Sequence, residues 1–378
     1  MKARSLQTII VTVVLAGLPL LLVIAEAQSP SGHAAALGAL KTPWGEPNLE
    51  GLWTDEVQTP FQRNAKYAGR EFLTDAEVAA LTAERRKAKG RDFRPPKGTE
   101  GDVAGAYNAV FDLPALSSDS SIGRRTSMIV DPPDGRIPPL SADAQKRNPL
   151  RREYLLAILQ ATDACKNRDQ LQRTYGNASC AGGTYAPTAP RREEPVPFYN
   201  VGFLNRADGP EDRSLGERCM AAQLLDFSGF RRIVQSPGAV SVFYDVGQGQ
   251  GWHRDIPMTD RPHVPAQIRR WWGDSRGRWE GATLVVDVTN FSPKTDFRSA
   301  RENLHVVERW TRIDATTLEY VVTIEDPTTW TKGWTVKQQL TAQSEEANRI
   351  YYEPRCHEGN LGMVGMLAGA REAEKAFR

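Results

Sequence analysis

Beyond residue 232 apolar and polar residues alternate with a period of two, and this pattern limits the possible folds more than any other feature of the sequence. Leu284, Val286 and Val288 share one face of the stretch Thr283 to Thr289, and Leu318, Tyr320, Val322 and Ile324 share one face of the next. Trp334, Val336 and Leu340 repeat the pattern, as do Ile350 and Tyr352. Successive side chains of a strand point to opposite sides, so each segment has one face to bury and one to wet. Connections such as Asp314-Ala315-Thr316-Thr317 are short, so consecutive strands pair as antiparallel neighbours. An open run of such strands would offer its edge to other chains, and the sheet has to curl or close. The expected fold is mainly β: an antiparallel meander over about residues 232–356 that closes into a barrel or curled sheet. Two peripheral helices and an irregular middle segment complete it.

The first helix is expected from Thr74 to Lys89, where Thr74 and Glu77 form a capping box and Val78, Leu81 and Arg85 recur at helical spacing. Its face is weakly apolar, so it packs outside the body. The second is expected to start at Asn148-Pro149, with Asn as N-cap and Pro at the first helical position, and to run through Leu155, Leu156 and Leu159. Thr126 to Val130 is strand-like and leads into the turn Asp131-Pro132-Pro133-Asp134-Gly135. Gly51-Leu52-Trp53 and Gly277-Arg278-Trp279 resemble the Gly-x-Trp step of lipocalin-like barrels, and that resemblance implies a calycin-type barrel with a Trp plugging one end.

Lys2 and Arg4, the apolar run from Ile9 to Ala25 and Ala25-Glu26-Ala27 have the order of a secretory signal peptide. Pro19 inside the run and the small-residue site after it favour cleavage over an uncleaved anchor. The expected organisation is a signal peptide over 1–27, a flexible tether over 28–47 and one mature domain over 48–378, free of the membrane after cleavage and periplasmic or secreted. Lys and Arg total 48 against 46 Asp and Glu, so no net field draws in nucleic acid. Cys165, Cys180, Cys219 and Cys356 would then meet an oxidising compartment, where four cysteines allow three pairings. Cys165 with Cys180 and Cys219 with Cys356 is the preferred set. The absence of any C-x-x-C spacing argues against a zinc site.

The run from Trp272 to Gly281, followed by Thr283 to Asp287, resembles a bacterial family of exported, uncharacterised proteins. Ile129 to Pro138, Glu325 to Thr331 and Cys356 to Asn360 are similar to it too, so the resemblance covers most of the mature chain. Ala282 departs from the family's more usual Asp in a hairpin. The resemblance supplies no mechanism.

Three motifs invite chemical readings that the residues oppose. Gly273-Asp274-Ser275-Arg276-Gly277 matches G-x-S-x-G, but a strand rather than a helix follows, so a hairpin turn is expected instead of a nucleophile elbow. Gly247, Gly249 and Gly251 precede no helix and read as a loop. His253, Asp255 and His263 read as surface residues rather than metal ligands, so no metal is expected. Glu308 carries more information, because it shares the buried face of its strand with Leu304, Val306 and Trp310. A carboxyl group there either pairs with an inward Arg or holds a raised pKa. His357, anchored beside Cys356, could act with it, and Glu358 could orient His357.

Seven of the nine tryptophans lie between Trp252 and Trp334 among arginines, a mixture that suits either a flat ligand or a barrel core with a charged rim. The leading expectation is an exported enzyme of hydrolase or lyase type acting on a small organic or glycoside-like molecule. Glu308, His357 and Glu358 would be its catalytic residues, Arg276, Trp279, Trp310 and Trp334 its ligand contacts, and no cofactor is required. A lipocalin-like carrier without chemistry is the alternative, and a surface interaction protein using the Pro-rich middle is a third possibility.

Overall fold

The computed structural model describes residues 41–55, 57–87, 97, 121–148, 210, 218, 224–227, 229–245, 251–293, 295–343 and 361–375. The signal peptide, the four cysteines, the helix predicted beyond 148, Gly247 and Gly249, Ile350 and Tyr352, and both His357 and Glu358 lie outside the described residues. Twelve strands are present among those described. The early ones are β1 (Gly51–Thr54), β2 (Val57–Gln58), β3 (Ser121–Ile122) and β4 (Ile129–Asp131). Then come β5 (Phe230–Ser236), β6 (Ala239–Asp245), β7 (Gly251–Pro257), β8 (Asp274–Glu280) and β9 (Thr283–Thr289). The last are β10 (His305–Arg312), β11 (Thr317–Glu325) and β12 (Trp334–Ala342).

Nine strands join in the order β7-β6-β5-β1-β12-β11-β10-β9-β8, with every neighbour antiparallel, and β4 adds to the edge of β12. An odd number of alternating strands leaves the two terminal ones running the same way. β7 and β8 accordingly meet as a parallel bridge between Met258 and Gly277, and Thr259 N–H donates to the Gly277 carbonyl at 3.0 Å. The sheet is thus nearly closed into a barrel, as its alternating pattern predicts. Gly277 admits this approach, since a Cβ there would stand 2.6 Å from Met258 Sδ and 2.9 Å from Ile256 Cγ2.

The predicted apolar face is the barrel interior. Leu284, Val286 and Val288 of β9, Val306 and Trp310 of β10, Leu318, Val322 and Ile324 of β11, and Trp334, Val336 and Leu340 of β12 are all buried. Register carries the alternation across the sheet, with Val306 opposite both Val288 and Ile324, and Trp310 opposite both Leu284 and Tyr320.

The first helix spans Asp75–Lys87, and its capping box forms as the sequence implies: Thr74 N–H donates to Glu77 Oε2 at 2.8 Å and Glu77 N–H to Thr74 Oγ at 3.3 Å. None of its residues is buried, in keeping with its weakly apolar face. Residues 142–148 form a second helix capped by Ser141, whose Oγ accepts from Ala144 N–H at 3.1 Å. Asn148 is therefore already helical and does not serve as the N-cap expected of it. A further helix, Leu361–Lys375, has no counterpart among the helices expected from sequence. Among the described residues no helix is long and apolar enough to cross a membrane.

The G-x-S-x-G segment corrects a second expectation. Residues 274–280 are strand, and the hairpin turn falls later, at Gly281 and Ala282, with Gly281 at φ +62°. Gly273 enters β8 at φ +70°, where a Cβ would stand 2.6 Å from the Thr289 carbonyl oxygen and 2.7 Å from Val288 Cγ1. Gly273→Ala should therefore lose about 1–3 kcal/mol, seen as a lower thermal midpoint. An unchanged midpoint would show that this backbone relaxes at no cost.

Candidate functional site

Glu308 points into the barrel and is fully buried. Tyr320 OH donates to its Oε1 at 2.7 Å, and Arg254 Nη1 lies 2.6 Å from its Oε2. Arg254 arrives from β7, where Trp252, Arg254 and Ile256 alternate inward, and its Nε donates to Ser275 Oγ on β8 at 3.1 Å. One guanidinium thus ties β10 to both strands of the parallel seam. Burial pulls the Arg254 pKa down, but the charge of Glu308 and the nearby tyrosines outweigh it and hold the group above its ordinary range. Burial, then Glu308, pushes the Tyr320 phenol well above its usual value. Both carboxylate oxygens of Glu308 are engaged and none of the group meets solvent. This is the paired alternative, an inward Arg answering the acid. Ser275, held by Arg254 inside the barrel, is likewise not placed as an exposed nucleophile.

The predicted ligand contacts do not converge. Trp279 and Trp310 face inward at register positions around Leu284, and Trp310 packs on Tyr320 with ring centroids 4.2 Å apart. Trp334 is fully buried elsewhere in the core, edge-on to Trp330 at 5.4 Å and to Phe61 at 5.9 Å. Arg276 has the opposite parity to Trp279 on β8 and lies outside, 2.9 Å from Asp274. It lines a shallow cleft of about 330 Å³ with Arg261, His263 and Asp287. There His263 is held between Asp274 Oδ2 at 3.0 Å and Asp287 Oδ1 at 2.9 Å, with His305 Nε2 3.2 Å from the other oxygen of Asp287. Both ring nitrogens of His263 are occupied, which leaves neither for an incoming molecule. His253 and Asp255 stand on the exposed face of β7, apart from this network. Among the described residues no group of three His, Cys, Asp or Glu side chains is placed to hold a metal ion.

A second cleft, of about 410 Å³, forms where β12 changes partners. β1 pairs with it at Thr341 and Ala342, β4 pairs with it at Thr335 and Val336, and Gln338 lies between. β2 and β3 pair with each other as a separate two-stranded parallel piece beside this gap. The apolar walls include Val57, Pro60, Leu73, Leu81, Ile122 and Met128. Seven of the thirteen lining residues carry polar groups, Arg125 among them, with Asp55 and Gln338 both almost fully buried. Burial raises Asp55 from the usual carboxyl value to about 6, with Arg231 and backbone N–H groups opposing the change. Asp55 Oδ1, Gln338 Oε1 and Arg125 Nε have no hydrogen-bond partner among the described residues. A concave apolar site of this volume with a few convergent polar groups and a displaced pKa is the common form of a small-molecule pocket, ~300–1,000 Å³.

Sequence reasoning passed over Asp55. The signal existed, because Asp55 follows Trp53 by two residues, as Glu308 precedes Trp310, and so continues the inward face of β1. A four-residue strand is too short for that parity to stand out.

The fold defines the class of protein: an antiparallel barrel of nine strands, its two ends joined by a parallel bridge. No protein-family model matches the chain, and no curated protein is significantly similar to it. Among solved structures three chains match, one of them a mutant of the fluorescent protein UnaG, at 12% sequence identity and a TM-score of 0.20, over 31% of this chain and 73% of that one. The functional reading accordingly rests on the chain's own residues.

Proposed function

We propose that the chain is an exported small-molecule-binding barrel whose ligand occupies the cleft over Asp55. The observation behind this reading is a cleft of about 410 Å³ whose lining holds three buried polar atoms, Asp55 Oδ1, Gln338 Oε1 and Arg125 Nε, that find no hydrogen-bond partner among the described residues. Buried polar atoms in folded proteins are almost always satisfied, and a cleft lined by three that are not supports a ligand with polar groups of its own. Export rests on the charged, apolar and small-residue segments of the N-terminus, and places the protein in the periplasm or outside the cell.

A catalytic reading has one observation in its favour. A carboxyl group titrating at about 6 can both give and take a proton near neutral pH, so Asp55 could serve a hydrolase or lyase where Glu308, sealed by Arg254 and Tyr320, could not. Native mass spectrometry of the protein purified from its host separates the readings. An intact bound small molecule, lost on Leu81→Arg at the cleft wall, supports binding; a product that accumulates on incubation and disappears in Asp55→Asn supports chemistry. A wild-type protein that carries and converts nothing, with Leu81→Arg indistinguishable from it, would count against both.

A further inference from the structure

We infer that Asp274, His263, Asp287, His305 and Glu325, in a row on the outer wall of the barrel, form a proton-operated latch. It clamps the connection between β7 and β8 over the parallel seam in mild acid and releases it as the pH rises.

The row alternates carboxyl and imidazole groups and runs from the connection across β8, β9, β10 and β11. Asp274 Oδ2 lies 3.0 Å from His263 Nδ1, and His263 Nε2 lies 2.9 Å from Asp287 Oδ1. The other oxygen of Asp287 lies 3.2 Å from His305 Nε2, and His305 Nδ1 lies 3.4 Å from Glu325 Oε2, its register partner on β11. A carboxylate only accepts, so each of these imidazole nitrogens needs its own proton, and every contact is a hydrogen bond only when both rings are imidazolium. A neutral imidazole carries a single N–H. Loss of one proton from each ring therefore turns half of the contacts into lone pairs facing lone pairs. Asp274 does not make up the difference. Burial raises its pKa, but the bonds from His263 and from Val264 N–H and the charges of Arg276 and Arg270 outweigh this and hold the acid below its ordinary value. The other charges around the row are Asp260 and Arg261 on the connection and Arg278 on β8, which pairs with Glu280 at 2.7 Å. Imidazole is the side chain that ordinarily changes charge between pH 5 and 8, and His263 and His305 are 25% and 37% exposed, so protons reach them from solvent.

The fold decides what the row holds. The connection leaves β7 at the parallel bridge, where Thr259 N–H donates to the Gly277 carbonyl. Its far half is fixed without titration, because Asn290 Nδ2 donates to the carbonyls of Val264 at 2.8 Å and Pro265 at 3.2 Å, and Arg270 N–H donates to the Asn290 carbonyl at 3.0 Å. Over residues 260–263 the His263 ring supplies the only side-chain bonds to the barrel wall among the described residues. A histidine that gains carboxylate partners on folding contributes stability that is full in mild acid and is lost as the pH rises. The lowered pKa of Asp274 sets the other limit, since its contribution is lost only as the pH falls below the ordinary carboxyl value of 3.8.

The test is amide hydrogen exchange on the whole protein at pH 5.5 and 8.5, corrected for the intrinsic pH dependence of exchange. Protection over residues 259–264 should be at least about tenfold greater at pH 5.5, the worth of one hydrogen bond to a charged group. Arg270, anchored on Asn290, should change little. His263→Gln should level the response, and His305→Gln, which leaves His263 its own two acids, should reduce it. Ring nitrogen NMR spectra of the unaltered chain read the protons themselves, with both rings doubly protonated at pH 5.5 and singly at pH 8.5. Should a variant fail to fold, the exchange and ring spectra of the unaltered chain decide. Equal protection at the two pH values, the same response in His263→Gln, or a His263 ring whose protonation does not change between them would overturn the inference.

Discussion

Arg254→Met should destabilise the protein by about 3–5 kcal/mol, the usual penalty for removing one partner of a buried ion pair and leaving the other charge stranded. Glu308 is fully enclosed, so no water replaces the guanidinium. The same substitution removes the bond to Ser275 and with it the side-chain tie across the parallel seam, where the described strands β7 and β8 share only an isolated bridge. The double variant Arg254→Met with Glu308→Leu should recover most of the loss, because apolar groups of similar volume fill the space without a charge to desolvate. Denaturant unfolding of the three proteins at pH 7 measures this directly. A loss below about 1 kcal/mol in the single variant would mean that Glu308 finds another partner. The expectation also assigns Glu308 to the architecture rather than the chemistry: ligand affinity should survive in the double variant.

Asp55→Asn should have the opposite sign. Asp55 titrates at about 6 in the folded chain against an ordinary value of 3.8, so folding opposes its ionisation. The protonated form's contribution to stability is full below about pH 4 and is lost as the pH rises through 6. Above that the wild type bears a cost on the order of 3 kcal/mol, because each tenfold change in proton affinity between the unfolded and folded chain is worth about 1.36 kcal/mol. The neutral amide escapes this cost. Thermal midpoints should therefore coincide near pH 4 and separate above pH 6, with the variant higher. Equal midpoints at both ends would show that Arg231 compensates the acid in full. A buried acid that carries such a cost marks Asp55 as a candidate functional residue, since a stabilising replacement one atom different lies within easy reach.

These two acids show how far one strand of sequence carries. Glu308 is legible because β10 is eight residues long, so its parity with Val306 and Trp310 is unmistakable, and burial follows. Its partner is not, because Arg254 sits on a strand whose own neighbours give no reason to prefer it to Arg276 or Arg278. Alternation places the tryptophans inward but does not sort them into groups: Trp334 packs with Trp330 and Phe61, while Trp310 packs with Tyr320. Arg276 shares a strand with Trp279 and still faces the other way.

Local pattern alone determined that the chain makes an antiparallel sheet, which faces of β9 to β12 are dry, and that the helix after Thr74 begins there, since each depends on residues only a few positions apart. Tertiary structure alone decided that β8 returns to β7 as a parallel seam, that Arg254 reaches Glu308, and that Asp55 and Gln338 line one cleft. Those meetings depend on how far the sheet twists and where β12 exchanges β1 for β4, and both are set by the packing of the whole barrel rather than by any run of neighbouring residues.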